Sequence, residues 1–160
     1  MRHFLDKLEL KIQEYSGFSK DKSTNFGEVF TPPELINEML DKLPEDVWRD
    51  KTKTFFDPCA GKGNFPIQII KRLFKGLEDQ IINEEERIKN IVENQIFMAE
   101  LQDNSAEFIR EHFQFGMGLK VNLYHGNSLN MPEDYFFGGS VRTEGYQFDL
   151  FYQEQMKSFK

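Results

Sequence analysis

The sequence predicts an α/β fold built on about four parallel strands with flanking helices, preceded by a helical segment. Three short apolar runs, at 53–56, 95–99 and 119–124, favour strands, and each gives way to a polar or glycine-containing turn. Segments with helical apolar spacing lie between these runs, which is the pattern of a parallel sheet with helical crossovers. The run at 148–152 predicts a fourth strand. Ligands of such sheets bind at the carboxyl ends of the strands.

Composition and charge exclude several classes of protein. The 160 residues carry 20 Lys and Arg against 27 Asp and Glu, a net charge of -7, which argues against binding nucleic acid over the whole surface. A single cysteine, Cys59, forms no internal disulfide, and three scattered histidines predict no metal site. Without an apolar run of about 20 residues or a signal peptide, we expect a cytoplasmic chain with no membrane partner.

The segment 1–45 is predicted to be helical and to precede an α/β core at 46–160. Apolar residues at helical spacing over the first fifteen positions predict one amphipathic helix. Thr31 and Glu34 flank two prolines, and this capping box with proline at the first helical position predicts a second helix. The basic residues around the helix after the first strand are interpreted as a solvated helix face: Lys62, Lys71, Arg72 and Lys75.

The sharpest motif is the sequence DPCAGKGNF at 57–65, between the first strand and the next helix. Its two glycines allow the backbone to come close to a ligand that a Cβ atom would exclude, and the following helix presents its N-terminus to that ligand. The segment is neither a Walker loop nor a GxGxxG dinucleotide fingerprint. Taken alone, such a turn is weak evidence for a ligand site, and a tight structural turn is the less favoured alternative.

Several motifs in order resemble the S-adenosylmethionine-dependent DNA methyltransferases that methylate adenine N6, especially those of restriction-modification systems. The sequence GEVFTP at 27–32 is similar to the family's N-terminal cofactor motif, and 57–65 matches its main cofactor loop, DPxxGxGxF. Glu100 ends the second predicted strand, where the family places an acidic residue on the ribose hydroxyls. Residues 126–129 resemble the segment that approaches the cofactor's adenine, with Asn127 in place of the usual aspartate.

The resemblance covers about residues 25–152 and implies an incomplete, Rossmann-like class I methyltransferase sheet that binds S-adenosylmethionine. It places Thr31 near the methionine carboxylate and Asp57 near the amino group of the cofactor. The set of cofactor-binding residues that it implies is Phe30, Thr31, Pro32, Asp57, Pro58, Ala60, Gly61, Gly63, Phe65, Glu100 and Asn127. Structural alternatives remain open, since Thr31 could only cap its helix, Asp57 could only end a strand and Glu100 could be a surface acid.

The family's catalytic element is not found in these 160 residues, so no catalytic residue is assigned. That element is Asn or Asp followed by Pro-Pro and an aromatic residue, just after the fourth strand. Here 148–152 runs directly into Gln153, the last proline is Pro132, and Asp149 is interpreted as structural. The resemblance therefore implies a chain that does not methylate by itself and binds DNA weakly or not at all.

Two classes of function remain open at this stage. One is a cofactor-binding methyltransferase domain, including one half of a split enzyme that another chain completes. The other is a non-enzymatic interaction or regulatory protein derived from a shortened methyltransferase. In the family's strand order 3-2-1-4 the fourth strand is internal, so we expect a second copy or another protein to pair with residues 148–152.

Overall fold

The computed structural model describes residues 1–18, 31–132 and 134–136. Its helices are α1 (Arg2–Phe18), α2 (Pro33–Leu40), α3 (Asn64–Gly76), α4 (Glu84–Asn90) and α5 (Asp103–His112). Its strands are β1 (Phe55–Asp57), β2 (Ile96–Glu100) and β3 (Asn122–His125), and a π-helical turn, Ile91–Gln95, joins α4 to β2. Two short 3-10 segments are Glu45–Arg49 and Ser128–Asn130. The predicted fourth strand lies outside the described residues.

The three strands form a parallel sheet, as the alternation of strands and helices predicts, and their order, β1-β2-β3, agrees with the order that the family resemblance implies. Because crossovers between neighbouring parallel strands are right-handed, α3 and α5 lie on the same face of the sheet. Side chains from alternate strand positions share a buried core with these helices. Members of this core are Phe55, Ile96, Met98, Leu123, Ile67, Ile70 and Ile109.

The N-terminal helices belong to the same core as the sheet. Leu5, Leu8 and Ile12 of α1 and Ile36 and Leu40 of α2 are buried in one cluster with the apolar side chains of α3. Burial of each large aliphatic side chain is worth about 1.5–3 kcal/mol. The packing of α1 and α2 therefore contributes directly to the stability of the sheet's helical layer. In the described part of the chain, no helix is long and apolar enough to cross a membrane.

The predicted cap of the second helix is wrong in detail. Pro32 is the N-cap residue of α2, and no side chain caps this helix. Pro32 adopts an extended conformation and Pro33 begins the helix, so Thr31 lies one residue too early for its hydroxyl to reach the orphaned amides. The third strand also begins at Asn122, later than the alternation from position 119 predicts.

Two basic side chains on the helix after the glycine loop form ion pairs with other parts of the protein and do not only contact solvent. Lys71 contacts Glu9 at 2.7 Å and Asp6 at 3.0 Å, which joins α3 to α1. Burial by itself would lower the pKa of Lys71, but hydrogen bonds and charges from Glu9 and Asp6 outweigh it and raise the pKa. Arg72 contacts Asp41 at 2.7 Å. The interpretation of these two side chains as free surface charges is therefore wrong.

Candidate functional site

The carboxyl ends of the three strands bring the predicted polar turns together. Asp57, Glu100 and His125 are the last residues of β1, β2 and β3. The turn after β1 is attached to β2 because the Ala60 amide donates to the Ala99 carbonyl at 2.9 Å. The turn after β3 is attached in the same way, since the Gly126 amide donates to the Glu100 carbonyl at 2.8 Å. Both turns are thus fixed against the central strand.

Glu100 organises the backbone of the glycine loop. Its Oε2 accepts the Gly61 amide at 2.7 Å, and its Oε1 accepts the Gln102 amide at 2.7 Å. The residue is only 7% exposed, so the alternative of one more surface acid is wrong. A carboxylate offers about four acceptor positions, and these contacts use two of them. Glu100 can therefore hold the loop and still accept hydrogen bonds from a ligand.

Asp57 is a half-buried carboxyl group with an altered acidity. Burial raises its pKa to about 6, the Cys59 amide opposes that shift, and the charge of Glu100 adds to it. The hydrogen bond from the Cys59 amide to Oδ1 measures 3.0 Å. Because burial makes the ionised form costly, a cation bound beside Asp57 would stabilise the ionised carboxylate. Asp57 therefore has the properties of a site for an ammonium group.

The two glycines of the loop serve different structural needs. Gly61 has a φ of +55°, and a Cβ atom there would meet no atom of the described residues within 4 Å. Gly63 has a φ of +91°, and a Cβ atom there would overlap the ring of Phe113, which is completely buried. Gly63 is therefore required by the packing beneath the loop. Gly61 leaves a backbone face at the carboxyl ends of the strands that the rest of the described chain does not cover, and a ligand tail can lie against it.

Thr31 reaches the loop through its backbone. Its carbonyl accepts a hydrogen bond from the Asn64 side chain, which belongs to the first residue of α3. The other atom of that amide, Asn64 Oδ1, is buried and finds no hydrogen-bond partner among the described residues. This contact places the segment before α2 against the loop, through the Thr31 backbone and not through its hydroxyl. Phe30 lies outside the described residues.

The remaining predicted residues take several positions. Pro58 lies in the loop, Ala60 is buried in the core, and Phe65 packs against that core. Asn127 is exposed, and its Oδ1 accepts the Leu129 amide at 3.0 Å, so the amide oxygen caps the segment Ser128–Asn130. These side chains shape the loop and the neighbouring turn. Their predicted contacts with a cofactor stay predictions.

Sequence reasoning predicted the turns at the carboxyl ends of the strands but missed several contacts between their side chains. The Ser128 side chain hydrogen-bonds the Cys59 thiol, which joins the third turn to the loop. Burial, together with the charges of Asp57 and Glu100, raises the pKa of that thiol, so it is a poor nucleophile. His125 Nε2 lies 3.0 Å from Asp103 Oδ1, and no motif marks this pair. Within the described residues, no group of three or more side chains suits a metal ion.

Comparison with known proteins identifies the family. The profile described as N-6 DNA Methylase matches residues 9–135. An uncharacterised adenine-specific methylase of Mycoplasma pneumoniae is 28% identical over 141 residues, which cover 76% of this chain and 33% of the relative. The type II methyltransferase M.VspI of Vibrio sp. (strain 343) is 45% identical over 49 residues, 31% of this chain and 11% of that protein.

A solved structure shares the fold. The modification subunit assigned to a type I restriction enzyme of Vibrio vulnificus YJ016 superimposes with a TM-score of 0.54 at 20% identity, covering 79% of this chain and 24% of that one. The chain spans about a third of the length of the Mycoplasma relative and less of the other two proteins. Because the profile covers most of the 160 residues, this chain belongs to the N-6 DNA methylase family, which confirms the family resemblance seen in its motifs.

Proposed function

We propose that these residues bind S-adenosylmethionine and form the cofactor-binding part of an adenine-N6 DNA methyltransferase. The observation that carries the proposal is the bond from the Gly61 amide to Glu100, which holds the open face of the glycine loop at the carboxyl ends of β1 and β2. Neither a tight turn nor a strand end needs a buried glutamate at this place. An acidic anchor beside an open glycine backbone suits a ligand with hydroxyl groups and a flexible tail.

The residues present fit the chemical groups of this cofactor. Asp57 would accept the ammonium group of the methionine tail, and the Gly61 backbone would lie along that tail. The acceptor positions left on Glu100 would take the ribose hydroxyls. The buried Asn64 Oδ1, which has no partner in the described part of the chain, would accept a donor from a ligand that enters beside Thr31. When bound, S-adenosylmethionine supplies an electrophilic methyl group.

The methyl acceptor would be held by groups outside these 160 residues. Methylation of an exocyclic amine requires the base to be flipped out of the duplex and held by acceptors and an aromatic stack. The sequence contains no Asn or Asp followed by Pro-Pro and an aromatic residue. We therefore propose that another polypeptide segment supplies the base-holding element. Similarity to a protein described as a modification subunit supports an assembly of this kind.

Calorimetric titration with S-adenosylmethionine tests the proposal, with S-adenosylhomocysteine and ATP as comparison ligands. We expect both sulfur-containing nucleosides to bind and ATP to bind at least tenfold more weakly, because its triphosphate would face Asp57 and Glu100. At 100 times the dissociation constant, a bound ligand should add about 2.7 kcal/mol to the free energy of unfolding. If millimolar S-adenosylmethionine gives no heat and no change in melting temperature, the cofactor proposal is wrong and the non-enzymatic alternative is favoured.

A further inference from the structure

Gln68 is a buried polar residue in an otherwise apolar helix face. The buried residues of α3 are Pro66, Ile67, Gln68, Ile69, Ile70, Leu73 and Phe74. Gln68 is only 4% exposed, and an amide buried without hydrogen bonds would cost several kcal/mol. An aliphatic side chain at this position would need no partners. A buried glutamine at position 68 therefore needs hydrogen-bond partners beside its side-chain nitrogen and oxygen.

The nitrogen and the oxygen of the Gln68 side-chain amide each form a hydrogen bond, and the two bonds go to different helices. Its Nε2 donates to Glu9 Oε1 of α1 at 2.6 Å. Its Oε1 accepts from Asn37 Nδ2 of α2 at 3.2 Å. One side chain of α3 thus joins both N-terminal helices.

The side chain of Asn37 forms further hydrogen bonds, one within α2 and one to α3. Its Nδ2 also donates to the Pro33 carbonyl at 2.9 Å, within the first turn of α2. Its Oδ1 accepts from Arg72 Nη2 at 2.9 Å, one turn after Gln68 on α3. A side-chain amide with two donors and one acceptor occupied has fixed orientation. The contact between Gln68 and Asn37 therefore fixes how α2 lies along α3.

The starts of the same two helices meet at the candidate site. Asn37 lies one turn inside α2, whose first residue follows Thr31 and Pro32. Gln68 lies one turn inside α3, whose first residue is Asn64. One helical turn is about 5.4 Å, so Gln68 lies one turn along α3 from Asn64, whose side chain bonds the Thr31 carbonyl.

We propose that Gln68 is a positioning residue, which holds α2 against α3 through Asn37 so that Thr31 stays against the glycine loop. The consequence for S-adenosylmethionine affinity rests on the proposed function, whereas the consequence for the Thr31 and Asn64 contact does not. A loss of the Gln68 amide would let α2 shift along α3. The first atoms to separate would be those at the start of the two helices.

Gln95 provides a matched control on the other side of the protein. It is completely buried and its Nε2 donates to the Asp50 and Lys53 carbonyls, each at 3.0 Å. Its Oε1 accepts from Asn90 Nδ2 at 3.2 Å. It immediately precedes β2, at the end of that strand opposite to Glu100. The same substitution at 68 and at 95 thus removes a similar set of hydrogen bonds, near the site and away from it.

The experiment compares Gln68→Met and Gln95→Met by NMR at a temperature where both variants are folded. We expect the Asn64 side-chain amide resonances to shift or broaden in Gln68→Met and to stay in place in Gln95→Met. Affinity for S-adenosylmethionine should fall about tenfold in the first variant only. Unchanged Asn64 resonances in Gln68→Met, or equal changes in both variants, would overturn the proposal. If the parent protein binds no S-adenosylmethionine, the proposed function fails, and the NMR comparison still decides this inference.

Exchanging the side chains of Glu9 and Gln68 provides a rescue experiment. Gln68→Glu places a second carboxylate against Glu9, so we expect the Asn64 resonances to change as they do in Gln68→Met. The double variant Glu9→Gln, Gln68→Glu restores a donor and an acceptor in reversed order, and Asn37 and Lys71 keep acceptors. The resonances should return toward those of the parent protein at pH 8. A double variant that resembles Gln68→Glu alone would count against positioning through this hydrogen bond.

Discussion

The ring of Phe113 lies directly beneath the backbone of Gly63, so close that a single methyl group at Gly63 would overlap it. Phe113 follows α5 and is completely buried, whereas Gly63 precedes the first residue of α3. The glycine loop therefore packs against the core. Its position relative to the sheet depends on the ring of Phe113, which is distant from the loop in the sequence.

This relationship predicts different costs for alanine at the two loop glycines. Gly63→Ala should lower the free energy of unfolding by about 2–4 kcal/mol, because it combines backbone strain with overpacking against Phe113. Gly61→Ala meets no neighbour among residues 1–18, 31–132 and 134–136 and should cost only about 1 kcal/mol of backbone strain. Urea denaturation measures both. In a Phe113→Leu background the cost of Gly63→Ala should shrink, and equal costs in both backgrounds would contradict the packing account.

The pKa of Asp57 predicts a pH dependence of stability. The pKa of this carboxyl is about 6 in the folded protein, against an ordinary value of 3.8. Between these values the unfolded chain is ionised while the folded chain keeps the proton, so stability falls as pH rises from about 4 to about 6. The loss attributable to this group is at most about 3 kcal/mol. Urea denaturation across this range should show a slope that Asp57→Asn removes, and an unchanged slope would exclude Asp57 as its source.

The same group predicts a pH dependence of cofactor binding with the opposite sign. An ammonium group binds the ionised carboxylate, so affinity for S-adenosylmethionine should be constant above about pH 7 and fall up to tenfold per unit below about pH 6. Asp57→Asn should bind weakly and show little dependence between pH 5 and 7. Calorimetry in buffers of different ionisation enthalpy would also detect proton release near pH 6. Equal affinity at pH 5 and pH 8 in the parent protein would remove Asp57 from the ammonium site.

The sequence was sufficient to predict the parts of the fold that depend on local pattern. The three parallel strands and the strand ends at Asp57 and Glu100 follow from apolar runs and polar turns, and the structure confirms them. The Thr31 cap was wrong because two successive prolines moved the start of α2, a conformational effect that the capping pattern does not contain. The contact of Phe113 with Gly63 depends on how α5 packs beneath the loop, which apolar spacing cannot provide.

The polar contacts between helices could not be predicted from the sequence either. Gln68 lies between isoleucines and has no motif around it, and the bonds from Lys71 and Arg72 appear only when α1 and α2 pack on α3. Local sequence therefore predicted which residues form the glycine loop. It could not predict which distant side chains hold that loop in place.

The 160 residues alone should transfer no methyl group to DNA. Without acceptors that hold the flipped adenine, N6 cannot be positioned against the methyl group, and positioning accounts for about 7–11 kcal/mol of such a barrier. Incorporation of tritiated methyl groups into adenine-containing duplex DNA measures this. A longer relative with the Asn/Asp-Pro-Pro-aromatic element serves as the positive control. Incorporation above background by this chain would contradict the proposal that another polypeptide segment supplies the base-holding element.

If the face of the glycine loop at Gly61 holds S-adenosylmethionine, a side chain added at Gly61 should block binding, and Gly118 offers a matched control. Gly61 and Gly118 have φ values of +55° and +65°, and a Cβ atom at either position would meet nothing within 4 Å in the part of the chain that the structure describes. Gly118 precedes β3, at the opposite end of that strand from His125. Asparagine tolerates this backbone conformation, so both substitutions to asparagine should leave the protein folded.

The measurement is calorimetric titration of Gly61→Asn and Gly118→Asn with S-adenosylmethionine, after circular dichroism has shown similar melting temperatures. We expect parental affinity for Gly118→Asn and at least a tenfold loss for Gly61→Asn, because the side chain at position 61 would occupy the face that the cofactor tail needs. Equal, parental affinity in both variants would contradict the placement of the cofactor on this loop.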